Sequence, residues 1–271
     1  MLGAIVGDVI GSVHEFAAPK TKEFPLFAPG STFTDDSVLT VAVAEWILTG
    51  ESLVDLFHTY VRAHPGRGYG GMFGEWARSG GREPYGSYGN GAAMRVSPVG
   101  FAFDSLEQVM DRAAESSAVT HDHPEGVRGA QATAAAVFLA RQGVERDDLR
   151  QRLESMFGYD LSRPLDDIRP DYRFTETCHG TVPPAVIAFL ESTSYEDAIR
   201  NAISLGGDAD TLACITGGIA EAFYGGVPID LAERTLQLLD PNLSRIVTRF
   251  RSRYGPRVPS AEASSHGGRG A

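Results

Sequence analysis

Only two of the 271 residues are cysteine, Cys178 and Cys214, and their spacing fits neither a zinc site nor a disulfide framework. They are read as reduced thiols, with a cytoplasmic protein as the expectation. Apolar runs of membrane-spanning length are also missing, so no membrane partner is expected. The start, Met1 to Asp8, has no basic region, and Asp8 interrupts its apolar run, so a signal peptide is not expected. Basic residues are in deficit: 24 Lys and Arg against 35 Asp and Glu leave a net charge of −11. Such a surface repels nucleic-acid phosphates and argues against a duplex partner. It does not exclude a small anion, which meets one local site rather than the whole field. No stretch alternates in the manner of a strand, no βαβ rhythm emerges and no internal repeat is found.

Helical periodicity dominates what is present. Val38, Leu39, Ala42, Val43, Trp46 and Ile47 recur at three- and four-residue steps, as do Leu106, Val109, Met110 and Ala113, and Leu212, Ile215, Ile219 and Phe223. Gly129 to Leu139 is alanine-rich. Ser194 with Glu196 and Asp197 reads as a helix cap with an acidic first turn. Pro183 and Pro184 suit a first turn ahead of Ala185, and Gly50, Gly143 and Gly158 suit helix ends. Small residues inside helices, Gly3, Ala4 and Gly7 near the start and Ala213, Gly217, Gly218 and Ala220 later, suggest close helix-to-helix approach. The expected fold is all-α: a compact multi-helix bundle in one domain over residues 1–255, acting as a monomer. Residues 256–271, rich in Gly and Ser, are expected to be a disordered tail.

Two acidic motifs stand at expected helix starts: Thr34-Asp35-Asp36-Ser37 and Gly206-Gly207-Asp208-Ala209-Asp210-Thr211. Capping explains either one alone, because Asp, Ser and Thr accept the orphan N–H bonds of a first turn. Together they hold more acceptors than two caps require. If they meet at one site with Glu15 from the first helix, five carboxylates crowd together. Each like-charged pair at ~4 Å then repels by about 4 kcal/mol at an effective dielectric of 20. Divalent cations relieve that repulsion, and an all-oxygen set suits Mg²⁺, or Mn²⁺ as a substitute, rather than zinc. Two ions would use this many ligands.

In these motifs the chain resembles the ADP-ribosylglycohydrolase family, which includes the dinitrogenase reductase-activating glycohydrolases and the ADP-ribosyl-acceptor hydrolases. The resemblance runs from Gly3–Gly11 and Glu15 through Phe33–Ser37, Tyr88–Arg95 and Thr120-His121 to Leu205–Thr211 with Gly217-Gly218. Ser37 departs from the threonine common at that place but keeps the hydroxyl. The resemblance implies an all-helical fold and a magnesium-dependent hydrolase that cuts ADP-ribose from a protein side chain or small ADP-ribosylated molecule. It implies a two-metal shell of Thr34, Asp35, Asp36, Asp208, Asp210 and Thr211, with Glu15 and Asp36 as catalytic candidates. Which carboxylate moves the proton stays open at this stage.

The remaining candidates carry two readings each. Ser87, Tyr88, Gly89 and Asn90 form either a surface turn or a backbone cradle for a diphosphate ahead of a short helix; the family context favours the cradle. His121 either starts a helix or, by resemblance, faces ADP-ribose. Arg95 suits phosphate or a structural ion pair. Tyr85 and Tyr88 suit adenine stacking or cover for the underside of the loop. Cys178 and His179 read as packing rather than a nucleophile pair, and the arginines from Arg245 to Arg257 as a solvated helix face. Two rival functions stand beside hydrolysis: an ADP-ribose-binding or interaction protein on the same scaffold, and a metal-dependent phosphohydrolase. The second is disfavoured by the all-α pattern.

Overall fold

The computed structural model describes residues 1–16 and 19–255; the expected tail at 256–271 lies outside them. Among the described residues the helices are α1 (Leu2–Gly11), α2 (Asp35–Thr49), α3 (Leu53–Ala63), α4 (Gly71–Ser79), α5 (Gly91–Met94), α6 (Ser97–Ala102), α7 (Leu106–Ala118), α8 (Pro124–Arg141), α9 (Arg146–Phe157), α10 (Leu165–Ile168), α11 (Cys178–Leu190), α12 (Tyr195–Ser204), α13 (Ala209–Phe223), α14 (Ile229–Leu238) and α15 (Pro241–Tyr254). No strand forms among these residues, and one isolated antiparallel bridge joins Gly89 to Thr177. The all-α expectation is met. None of these helices is long and apolar enough to cross a membrane.

The starts and stops follow local chemistry. Thr34, Ser52, Ser105, Thr177, Ser194 and Asp240 each accept a backbone N–H of the first turn behind them, which satisfies donors that the helix itself cannot. Gly50 and Gly158 end α2 and α9 at φ 73° and 66°, a left-handed backbone that only glycine adopts without strain.

The core is set by helices that are buried on every side. All ten residues of α1 are buried, as is every residue of α13 except Phe223; a helix apolar all round belongs inside. The two pack backbone to backbone. A Cβ on Gly3 would lie 2.3 Å from the Gly217 carbonyl oxygen, and one on Gly7 2.0 Å from that of Ala213. The small residues therefore mark the crossing, as expected. The alanine-rich α8 packs against α13 and α11, while α3, α7, α12, α14 and α15 carry apolar faces inward and charges outward.

One expectation is corrected. Pro183 and Pro184 do not open a helix: α11 starts at Cys178 and runs through both. Pro184 has no N–H for the Gly180 carbonyl, and the Tyr172 hydroxyl donates to that oxygen instead, at 3.0 Å. The substitute partner stands outside the helix, in the loop before it, so helical periodicity does not announce it.

Candidate functional site

All twelve site residues expected from the sequence line one cavity of about 380 Å³, a size suited to a small-molecule ligand. They arrive on five pieces of chain. The first turn of α2 brings Thr34, Asp35 and Asp36. The start of α13 brings Asp208, Asp210 and Thr211. The loop before α5 brings Ser87 to Asn90, and the loop before α8 brings His121. Glu15 is placed differently from the expectation: α1 ends at Gly11, and Glu15 lies in the turn behind it. Gly206 and Gly207, at φ 74° and 72°, make the tight turn that delivers Asp208 to α13.

The carboxylates converge. Single oxygens of Asp8, Asp36 and Asp210 lie within 4.8 Å of one another, and so do oxygens of Glu15, Asp208 and Asp210. The Thr211 hydroxyl donates to Asp36 Oδ2 at 3.3 Å, and Asn90 Nδ2 donates to Asp208 Oδ2 at 2.7 Å. Burial, reinforced by the neighbouring carboxylates, pushes Asp35, Asp36 and Asp210 well above the usual carboxylate range. Glu15 is half-buried, and burial together with Asp208, Glu176 and Asp8 raises it to about 7. Asp36 Oδ1 is a buried acceptor with no hydrogen-bond partner among the described residues. An orphaned carboxylate oxygen, in clusters made of Asp and Glu oxygens, fits a hard divalent cation.

Asp8 was missed by sequence reasoning. It lies within α1, fully buried, and accepts from Thr34 N at 3.0 Å, Thr34 Oγ1 at 2.6 Å, Ser37 N at 3.1 Å and the Ser37 hydroxyl. Four donors occupy most of its lone pairs, so it braces the first turn of α2 rather than offering free oxygens. The sequence signal was the single carboxylate inside an otherwise apolar helix. Its serine and threonine partners are the hydroxyls that flank the Asp35-Asp36 pair, including Ser37.

Glu176 and the glycine run Gly68, Gly70 and Gly71 also line the cavity without having been singled out. The run 66–71 repeats the glycine density of Gly86–Gly91, which was a readable signal. Its backbone sits on the acidic turn: Asp35 N donates to the Arg67 carbonyl at 2.8 Å.

The loop Gly86–Gly91 is tied to the segment before α11. Asn90 N donates to the Glu176 carbonyl at 2.7 Å, and Cys178 N to the Tyr88 carbonyl at 3.0 Å. Cys178 lies buried beneath, its thiol raised to about 12 by burial, which suits packing. His179 is exposed. Tyr88 stands 53% exposed at the rim, whereas Tyr85 packs between Trp76 and His121. His121 is buried, and burial with the nearby Arg95 pulls its imidazole well below the usual range. Arg95 makes no ion pair among the described residues: it is fully buried and donates to the Ser116 carbonyl and the Thr120 hydroxyl.

The family model described as ADP-ribosylglycohydrolase matches residues 1–256, and the chain belongs to that family. It is 29% identical to the ADP-ribosylhydrolase ARH3 of Mus musculus, over 83% of this chain and 82% of that one. It is 26% identical to the ADP-ribosylarginine hydrolase Tri1 of Pseudomonas putida (strain GB-1), over 86% and 72% of the two chains. Among solved structures it is similar in fold to an ADP-ribosylglycohydrolase-related protein complex, with a TM-score of 0.66 at 23% identity over 93% of this chain and 97% of that one.

Proposed function

We propose that this chain hydrolyses the glycosidic bond between ADP-ribose and an acceptor, either a protein side chain or a small molecule, in a reaction that requires two Mg²⁺ ions or Mn²⁺ in their place. The observation that carries this reading is the convergence of Asp36, Asp208, Asp210 and Glu15 in a cavity that the glycine loop and His121 also line. The names of the relatives supply the substrate class.

Thr34, Asp35, Asp36, Asp208, Asp210 and Thr211 would hold the ions. When bound, the ions supply Lewis-acid polarisation and fix the hydroxyls of the ribose distal to adenine. The backbone N–H groups of Ser87 and Tyr88 would serve the diphosphate, since those of Gly89 and Asn90 donate to Ser87 Oγ and the Glu176 carbonyl. The carboxylates around the anomeric carbon stabilise the positive charge that develops on the sugar ring. Glu15, half-buried beside Asp208 and Asp210, would hand over or take up the proton at the scissile bond. Asn90 holds Asp208 in position through the 2.7 Å bond.

The test is release of free ADP-ribose from ADP-ribosylated arginine and ADP-ribosylated serine peptides, measured with chelator and after Mg²⁺ is restored. Hydrolysis of at least one substrate that stops with chelator and returns with the ion is expected. No release from either, with ADP-ribose still bound, would replace the enzyme by a binding protein on the same scaffold.

A further inference from the structure

His121 reaches the cavity through a chain of three buried side chains. Arg95 Nη2 lies 2.8 Å from Thr120 Oγ1, and the same oxygen lies 2.7 Å from His121 Nδ1. Arg95 and Thr120 are fully buried, and His121 is 5% exposed. The direction of this chain is dictated by what each group can do. A guanidinium only donates. Thr120 Oγ1 therefore accepts from Arg95, and among the described residues His121 Nδ1 is the only acceptor within hydrogen-bond distance of its one hydrogen. Accepting from a protonated Nδ1 as well would leave that buried hydrogen without a partner, at a cost of about 1–3 kcal/mol. A nitrogen that receives a hydrogen bond carries no proton of its own, so Nδ1 is the bare nitrogen of a neutral ring and Nε2 is the protonated one.

Nε2 is the nitrogen that faces the glycine loop. A Cβ built on Gly91 would lie 3.1 Å from it, and one built on Gly89 3.4 Å. The backbone of His121 is held as well: its N–H donates to the Ser117 carbonyl at 2.7 Å, and its carbonyl accepts from the Ser117 hydroxyl at 2.8 Å. The ring therefore has a fixed position and a fixed end towards the cavity.

We infer that Arg95 and Thr120 are positioning residues that lock His121 as the Nε2–H tautomer, making it a permanent hydrogen-bond donor into the cavity rather than a proton-transfer group. The inference rests on the ADP-ribose reading only for what the donor meets, an oxygen of the ligand. The tautomer itself is a property of the free protein. Buried hydroxyls ordinarily rotate to suit their neighbours; here one neighbour, Arg95, can only donate, and His121 Nδ1 is left as the acceptor.

The experiment is long-range ¹H–¹⁵N NMR of the full-length protein labelled at histidine, with the His121 signals assigned by their loss in His121→Gln. Wild type should show a protonated Nε2 and a bare Nδ1. Thr120→Val, which keeps the shape and loses the hydroxyl, should populate the Nδ1–H form and weaken ADP-ribose binding about fivefold, the scale of one neutral hydrogen bond. Its turnover at saturating substrate should change less than its KM. Thr120→Ser should restore tautomer and affinity to within about twofold. A protonated Nδ1 in wild type or in Thr120→Ser overturns the inference, and this reading stands even if Thr120→Val does not fold. An unchanged tautomer in a folded Thr120→Val overturns it too. Wild type with the Nε2–H form but no ADP-ribose binding upholds the lock and overturns the proposed function instead.

Discussion

Replacing Gly11 with alanine sets the fold directly against the site. A Cβ at residue 11 would lie 2.4 Å from Asp210 Cα, and 2.8 Å from both the Ala209 carbonyl oxygen and the Asp210 amide nitrogen. Ordinary contact begins at 3.4 Å, so the end of α1 and the start of α13 must part by about 1 Å. Both helices are buried there, and no flexible side chain can yield in their place. Overpacking of this kind costs about 1–3 kcal/mol. In a chain of this size each kcal/mol lowers Tm by about 2–4 °C, so a fall of roughly 2–12 °C is expected. The larger effect falls on the chemistry. The displaced turn carries Asp208, Asp210 and Thr211, and a shift of ~1 Å at a catalytic centre costs on the order of 100-fold in rate. The assays are thermal unfolding and Mg²⁺-dependent ADP-ribose release. Gly74→Ala in α4 is the control, because its Cβ meets nothing nearer than the Tyr69 carbonyl at 3.9 Å. That change should leave activity intact and raise stability by up to ~1 kcal/mol. A Gly11→Ala protein with wild-type Tm and wild-type activity would refute the reasoning.

Asp36→Asn or Asp210→Asn should abolish Mg²⁺-dependent hydrolysis yet raise the Tm measured in chelator, since each removes a buried like charge; a lower chelator Tm in both would contradict the crowding seen at the site. Glu15 is raised in the folded chain from 4.5 to about 7. Between those values the folded form keeps a proton that the unfolded form has lost. Metal-free stability must therefore fall as pH rises through that window and level off above it. Unfolding midpoints in chelator for wild type and Glu15→Gln should show the steeper fall in wild type, and equal slopes would count against it. Tyr172→Phe leaves the Gly180 carbonyl without the donor that replaces the missing N–H of Pro184; a loss of about 1 kcal/mol by urea unfolding is expected.

Much of this architecture was legible along the chain because it is local. Periodic apolar residues, cap hydroxyls and terminal glycines act within one or two turns, and they place α2, α7, α12 and α13 correctly. The two acidic motifs were legible because each holds more carboxylates than a cap needs. What escaped was tertiary. Asp8 reads as an interruption of an apolar run, and only the fold brings Thr34 and Ser37 onto it. In place of the ion pair read for Arg95, the fold supplies Ser116 and Thr120, neighbours from α7 and the turn behind it. Glu176 sits in a stretch without periodicity, and its relation to Glu15 exists only in three dimensions.

The two backbone hydrogen bonds that join Tyr88 and Asn90 to the segment ending at Cys178 have a practical corollary. One wall of the cavity is stitched from two stretches of sequence some ninety residues apart, so neither stretch is an independent module. Anyone wishing to alter substrate preference by transplanting a surface loop from a relative must move both stretches as a matched cassette, because either alone arrives without the strand of backbone that holds it in register.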